Sequence, residues 1–177
     1  DIAQLPAADD RPFPRGADLV AYATTHAPLA SAKPSRLTER QHHATRSTLW
    51  NGSRPGAPFA AACLTLLARA HRPVWPWKDA PGMLVETFPA AQLKAWGLPN
   101  AGYADDEGRP IRAKIITHLE DKQHLMIDPA DRRDMLRSAD ALDAVLAAFG
   151  AKAAANRRLK FETPDNWKTE GAIAIHA

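Results

Sequence analysis

The chain has 177 residues, about 45% of them apolar, enough for a sizeable core and too apolar for a disordered segment. Its formal net charge of +3 permits a nucleic-acid partner and is equally what solubility alone would give. The single cysteine, Cys63, excludes an internal disulfide and a zinc–thiolate cluster. The longest apolar stretch is too short and interrupted to cross a membrane, and nothing reads as a signal peptide, so a cytoplasmic protein is expected.

In chain order, residues 1–5 read as the end of a strand, and Pro6, Pro12 and Pro14 keep the next stretch irregular. Residues 16–27 allow a short helix. Residues 35–47 allow a polar helix rich in Arg and His, and Asn51-Gly52-Ser53 signals a turn. Residues 58–71, with Phe59, Cys63, Leu64, Leu66 and Leu67, are apolar almost all round, the pattern of a helix buried on most sides. A loop with Trp75 and Trp77 follows, then a short apolar run over residues 83–88 that reads as a buried strand. Pro89 suits the first position of a helix ending near Gly97, and Pro110 opens another with Ile111, Ile115, Ile116 and Leu119 on one face. Ser138 is placed to cap a long helix reaching about residue 155, and residues 171–177 look like a terminal strand. With no repeat and no second domain in view, alternating strands and helices point to one α/β layer domain over residues 1–177.

Acidic residues are the main candidates for chemistry. Glu86 lies inside the apolar run Met83-Leu84-Val85-Glu86-Thr87-Phe88. A carboxylate there needs a partner or a metal unless it sits at a strand end, facing solvent or capping the next helix. In the long helix, Leu142, Val145, Leu146 and Phe149 recur at i, i+3, i+4 and i+7 and form the core face. Asp143 falls on the flank of that face and Asp140 further outward, one helical step apart. Two like charges at this spacing repel, which a divalent cation would relieve; acids in a first turn also favour the helix dipole, and both explanations stand. Ala139, Ala144 and Ala147 around Asp143 would let the helix approach a sheet closely. Arg36, Arg40, Arg46 and Arg54 with Trp50, and separately Arg157, Arg158 and Lys160, form basic stretches that can hold phosphates or simply face solvent. His26, His71, His118 and His124 have no evident partners, and adjacent His42 and His43 cannot face one metal from a helix.

These residues resemble a family. Leu84-Val85-Glu86-Thr87-Phe88-Pro89-Ala90-Ala91, then Leu93, Trp96-Gly97-Leu98-Pro99 and Tyr103, is similar to the E-x-[FY]-P-A-A…G-L-P…Y signature of DUF429 proteins. The helix from Ser138 resembles that family's D-A-x-x-A-A helix, and Glu170-Gly171-Ala172-Ile173 its terminal E-G-x-I strand. Asp1-Ile2-Ala3 with Leu5-Pro6, and Arg36-Leu37-Thr38-Glu39-Arg40, resemble two further segments. The resemblance implies a ribonuclease H-like α/β fold, a mixed sheet flanked by helices, with the N-terminal antiparallel strands missing or upstream of Asp1. Three departures stand out: no G-x-D strand precedes Asp1, Ala3-Gln4-Leu5 lacks the family's glycine, and residues 151–155 are almost all alanine in place of aromatic-rich surroundings.

What the resemblance implies for function is phosphodiester hydrolysis with Mg²⁺ or Mn²⁺. Carried over, the catalytic acids are Asp1, Glu86, Asp140 and Asp143, with Asp1, Glu86 and Asp143 as metal ligands and Asp140 a supporting or alternate one. Arg36, Arg40 and Arg54 would hold nucleic-acid phosphates. Two other readings stay open: a non-catalytic module binding nucleic acid or protein, and a metal-dependent hydrolase of a small phosphorylated metabolite.

Overall fold

The computed structural model describes residues 72–163, 165, 167 and 172–177. The expected elements at residues 1–5, 16–27, 35–47, 51–53 and 58–71 lie outside them. The chain divides into two compact units: Asp1–Val85 with Thr163–Ala172, and Glu86–Glu162 with Ile173–Ala177. In the first, residues 73–84 form a loop closed on itself. The Trp75 amide donates to the Leu84 carbonyl at 2.9 Å and the Leu84 amide to that of Pro73 at 2.7 Å.

The second unit carries four described helices: α1 (Pro89–Ala95), α2 (Arg109–Asp121), α3 (Pro129–Arg137) and α4 (Ala139–Ala155). Each of the first three has a proline in its first two positions, where the missing N–H would have no helical partner anyway. Asp128 caps α3 by accepting from the Ala130 amide at 2.8 Å. Ser138 ends α3 and caps α4, its hydroxyl accepting from the Ala141 amide.

Helix α1 stops in a Schellman motif. The Leu98 amide reaches back to the Leu93 carbonyl and the Gly97 amide to that of Lys94. This requires a left-handed residue, and Gly97 has φ +71°. An added Cβ would meet nothing within 4 Å, so the glycine serves the dihedral alone. The end of α4 repeats the motif: the Arg158 amide bonds the Ala153 carbonyl and the Arg157 amide that of Ala154. Here the left-handed position holds Arg157, at φ 54°. A side chain in that conformation costs on the order of 1–2 kcal/mol relative to the right-handed region.

Helices α2, α3 and α4 pack in sequence, and α1 packs on α4. Between them lies a core of Leu93, Ile115, Ile116, Leu119, Met135, Leu142, Leu146 and Phe149. The predicted core face of α4 is the observed one, with Val145 only half-buried. Beside α1, Ala91 joins Ile173 and Ile175 in a smaller apolar cluster. The chain end runs extended there, bridging Thr87 to Ala174 in parallel and Leu159 to His176 in antiparallel fashion. A buried glutamine secures it. Gln92 donates to the His176 carbonyl at 3.1 Å and accepts from the His176 amide at 2.7 Å, as a neighbouring strand would.

Candidate functional site

Asp143 lies on the first half of α4 and is half-buried, while Asp140, one step earlier, is exposed. That is the order the helical period predicts. The phenol of Tyr103, from the loop between α1 and α2, donates to Asp143 Oδ1 at 2.9 Å. Tyr103 is only 6% exposed and belongs to the core. Desolvation raises the Asp143 pKa above its ordinary 3.8; the Tyr103 hydrogen bond pulls it down and the charge of Asp140 pushes it up. Burial, followed by the bond to and charge of Asp143, also raises the Tyr103 pKa, so the phenol stays a donor at any physiological pH.

The loop that presents Tyr103 is itself held by a buried cation. Arg112 is 4% exposed. Its Nε donates to the Leu136 carbonyl at 3.0 Å and its Nη1 to the carbonyls of Tyr103 and Asp105. A buried guanidinium is tolerable when its fork of donors is matched by acceptors, and here backbone carbonyls supply them.

Glu86 is half-buried, and its backbone carbonyl accepts from the Ala174 amide at 2.9 Å. Phe88, not Glu86, stands at the N-cap of α1. Where the extended backbone meets α4, Gly150 makes the close approach: a Cβ there would come within 2.7 Å of the Ala174 oxygen and 2.8 Å of Thr87 Cγ2. Of the alanines expected to provide that approach, Ala144 is exposed and Ala139 and Ala147 are half-buried. Asp143 precedes Gly150 by seven residues, so it lies on the same face about 10 Å along the axis. Glu86 adjoins Thr87, so reaching an ion at Asp143 requires its carboxylate to point toward the start of α4.

Among the described residues, no three His, Cys, Asp or Glu side chains form a group that could hold a metal. Asp1, Arg36, Arg40 and Arg54 lie outside the described residues. Mg²⁺ is commonly held by one or two carboxylates together with waters and substrate oxygens, so the hard oxygens of Asp143 and Glu86 suit it chemically. No described helix is long and apolar enough to cross a membrane.

Sequence reasoning gave Tyr103 no role beyond its place in a motif and missed Arg112 and Gln92. The signal for Arg112 was available: it shares the i, i+3, i+4, i+7 period of Ile115, Ile116 and Leu119.

A family model described as "Protein of unknown function (DUF429)" matches residues 3–166. The match spans Arg36, Arg40, Arg54, Glu86, Asp140 and Asp143, and excludes Asp1 and the terminal extended segment. No curated protein and no solved structure matches the chain.

Proposed function

The chain belongs to the DUF429 family, and from that premise we propose that it hydrolyses phosphodiester bonds with a divalent cation, using Asp143 as its fixed carboxylate and Glu86 as a second. One observation carries the reading. A carboxylate is kept on the flank of the core face despite burial and the repulsion of Asp140, and a buried phenol holds it in one orientation. A residue selected only for stability would more readily be Asn, which accepts the same hydrogen bond without a charge to desolvate.

A bound Mg²⁺ or Mn²⁺ would supply charge neutralisation at the phosphate and an acidified water. The residues have separate tasks around it. Tyr103 occupies one Asp143 oxygen and leaves the other free to bind. Asp140, exposed beside it, adds negative potential that attracts a cation. Arg112 fixes the Tyr103 loop, so the phenol keeps its place.

Calorimetric titration of Mn²⁺ into wild type and Asp143→Asn, alongside cleavage assays on single- and double-stranded substrates, tests the reading. It expects Mn²⁺ binding and cleavage in the wild type and loss of both in the variant. A second reading, a non-catalytic scaffold, draws support from the same Tyr103–Asp143 bond, which also ties the Tyr103 loop to α4. It expects no Mn²⁺ binding and a variant that differs only in stability.

A further inference from the structure

A second site lies at the C-terminal ends of α2 and α4, away from the acids. A cavity of about 240 Å³ is lined there by Lys122, His124, Lys152, Asn156, Arg158 and His176, with Phe149 among the remaining walls. No acidic side chain lines it. Three full positive charges, two imidazoles and the amides of Gln123 and Asn156 make a cationic surface with many donors.

We propose that this cavity binds the terminal phosphate of a small phosphomonoester. The inference goes beyond the hydrolytic reading and stands independently of it. A monoester is largely a dianion at neutral pH, because its second pKa lies near 6. Three cations match that charge better than that of a singly charged diester. The cavity also exceeds what a lone phosphate fills, leaving room for part of an organic body beside Phe149 and His176.

Helix-end electrostatics explains only part of this arrangement. Lys122 and Lys152 close their helices, where cations complement the dipole. Arg158 lies beyond α4 and outside that account. The exposed carbonyls of a helix C-terminus would repel an anion, and here several are occupied. The Ala153 and Ala154 oxygens accept from Arg158 and Arg157, and the His118 oxygen accepts from Lys122 and Gln123. The backbone points the same way. His124, on the cavity wall, has a positive φ of 53°. The chain places a histidine at this wall where glycine would be less strained.

The test uses the full chain, with ¹⁵N–¹H correlation spectra followed during titration with inorganic phosphate and, separately, AMP, in metal-free buffer. We expect saturable shifts at the amides of His124, Lys152 and Arg158. Tighter binding of AMP than of phosphate supports the monoester; equal or weaker binding of AMP contradicts it. Lys152→Gln/Arg158→Gln removes two charge-assisted contacts and should weaken binding on the order of 100-fold. Both side chains are exposed, and the Arg158 backbone bond that closes α4 survives. Lys122→Gln serves as a further single variant, with weakening on the order of 10-fold. Asp143→Asn should leave this binding unchanged, which separates the outcome from that of the hydrolytic reading. Absence of a saturable shift with either probe, or an unchanged affinity in the double variant, would overturn the proposal.

Discussion

Replacing Tyr103 with Phe removes one oxygen and leaves the ring in the core, so it isolates the hydrogen bond to Asp143 without opening a cavity. A hydrogen bond to a charged acceptor contributes roughly 1.5–3 kcal/mol, and one between neutral groups roughly 0.5–1.5 kcal/mol. Asp143 is only half-buried, so water replaces part of the lost bond and the low end applies, about 1.5 kcal/mol at neutral pH. The effect depends on pH with a definite sign. Asp143's raised pKa means that its stabilising contribution is present below the unfolded value and is lost as pH rises through the folded one. The Tyr103 bond lowers that folded pKa, so its removal raises it further. The variant should therefore lose stability relative to wild type as pH rises from about 3 to 7, with the difference growing by about 0.5–1 kcal/mol. Urea unfolding followed by tryptophan fluorescence at several pH values measures this. A difference that is flat with pH, or larger in acid, refutes the claim that the phenol serves the ionised carboxylate.

Other outcomes follow from the same geometry. Gln92→Leu leaves the His176 amide and carbonyl without partners and should destabilise by about 2–4 kcal/mol, with faster hydrogen exchange in the terminal segment. Gly97→Ala meets no steric obstacle yet demands a left-handed alanine, so a loss of about 1–2 kcal/mol in urea unfolding is expected. Gly150→Ala must move α4 from the Thr87–Ala174 backbone and should cost about 1–3 kcal/mol, with shifts in the ¹⁵N–¹H spectrum at Thr87 and Ala174. Burial, and then Lys122, lower the His118 pKa, opposed by Asp121, so that contribution is present above the unfolded value of 6.5 and is lost as pH falls below it. His118→Gln should flatten this part of the stability–pH curve.

The sequence was most legible where one periodicity ruled. The long helix has a cap, an apolar stripe and two acids whose burial follows from their angular offset, and all of these appear in α4. Helix α3 was missed because it buries one residue, Met135, and has no stripe to read; its only local signature is the Asp128–Pro129 start. Tyr103 sits in a polar loop, and its bond spans 40 residues, a distance that no local pattern reports. Gly150 was likewise hidden, because close approach depends on a neighbour distant in sequence. Of the basic cavity only Arg158 was marked, within the basic stretch after the long helix; Lys122 and Lys152 are distant in sequence, and no local pattern reports that they line one cavity with it. The ribonuclease H-like sheet rests on the resemblance, since the described residues contain only isolated bridges.

The central claim is that Asp143 is retained for a metal rather than for the fold. The most direct measurement is Mn²⁺ calorimetry on purified Asp143→Asn, with its unfolding midpoint recorded in parallel. The account predicts a protein at least as stable as wild type that no longer takes up Mn²⁺. Undiminished Mn²⁺ uptake by that variant would contradict it.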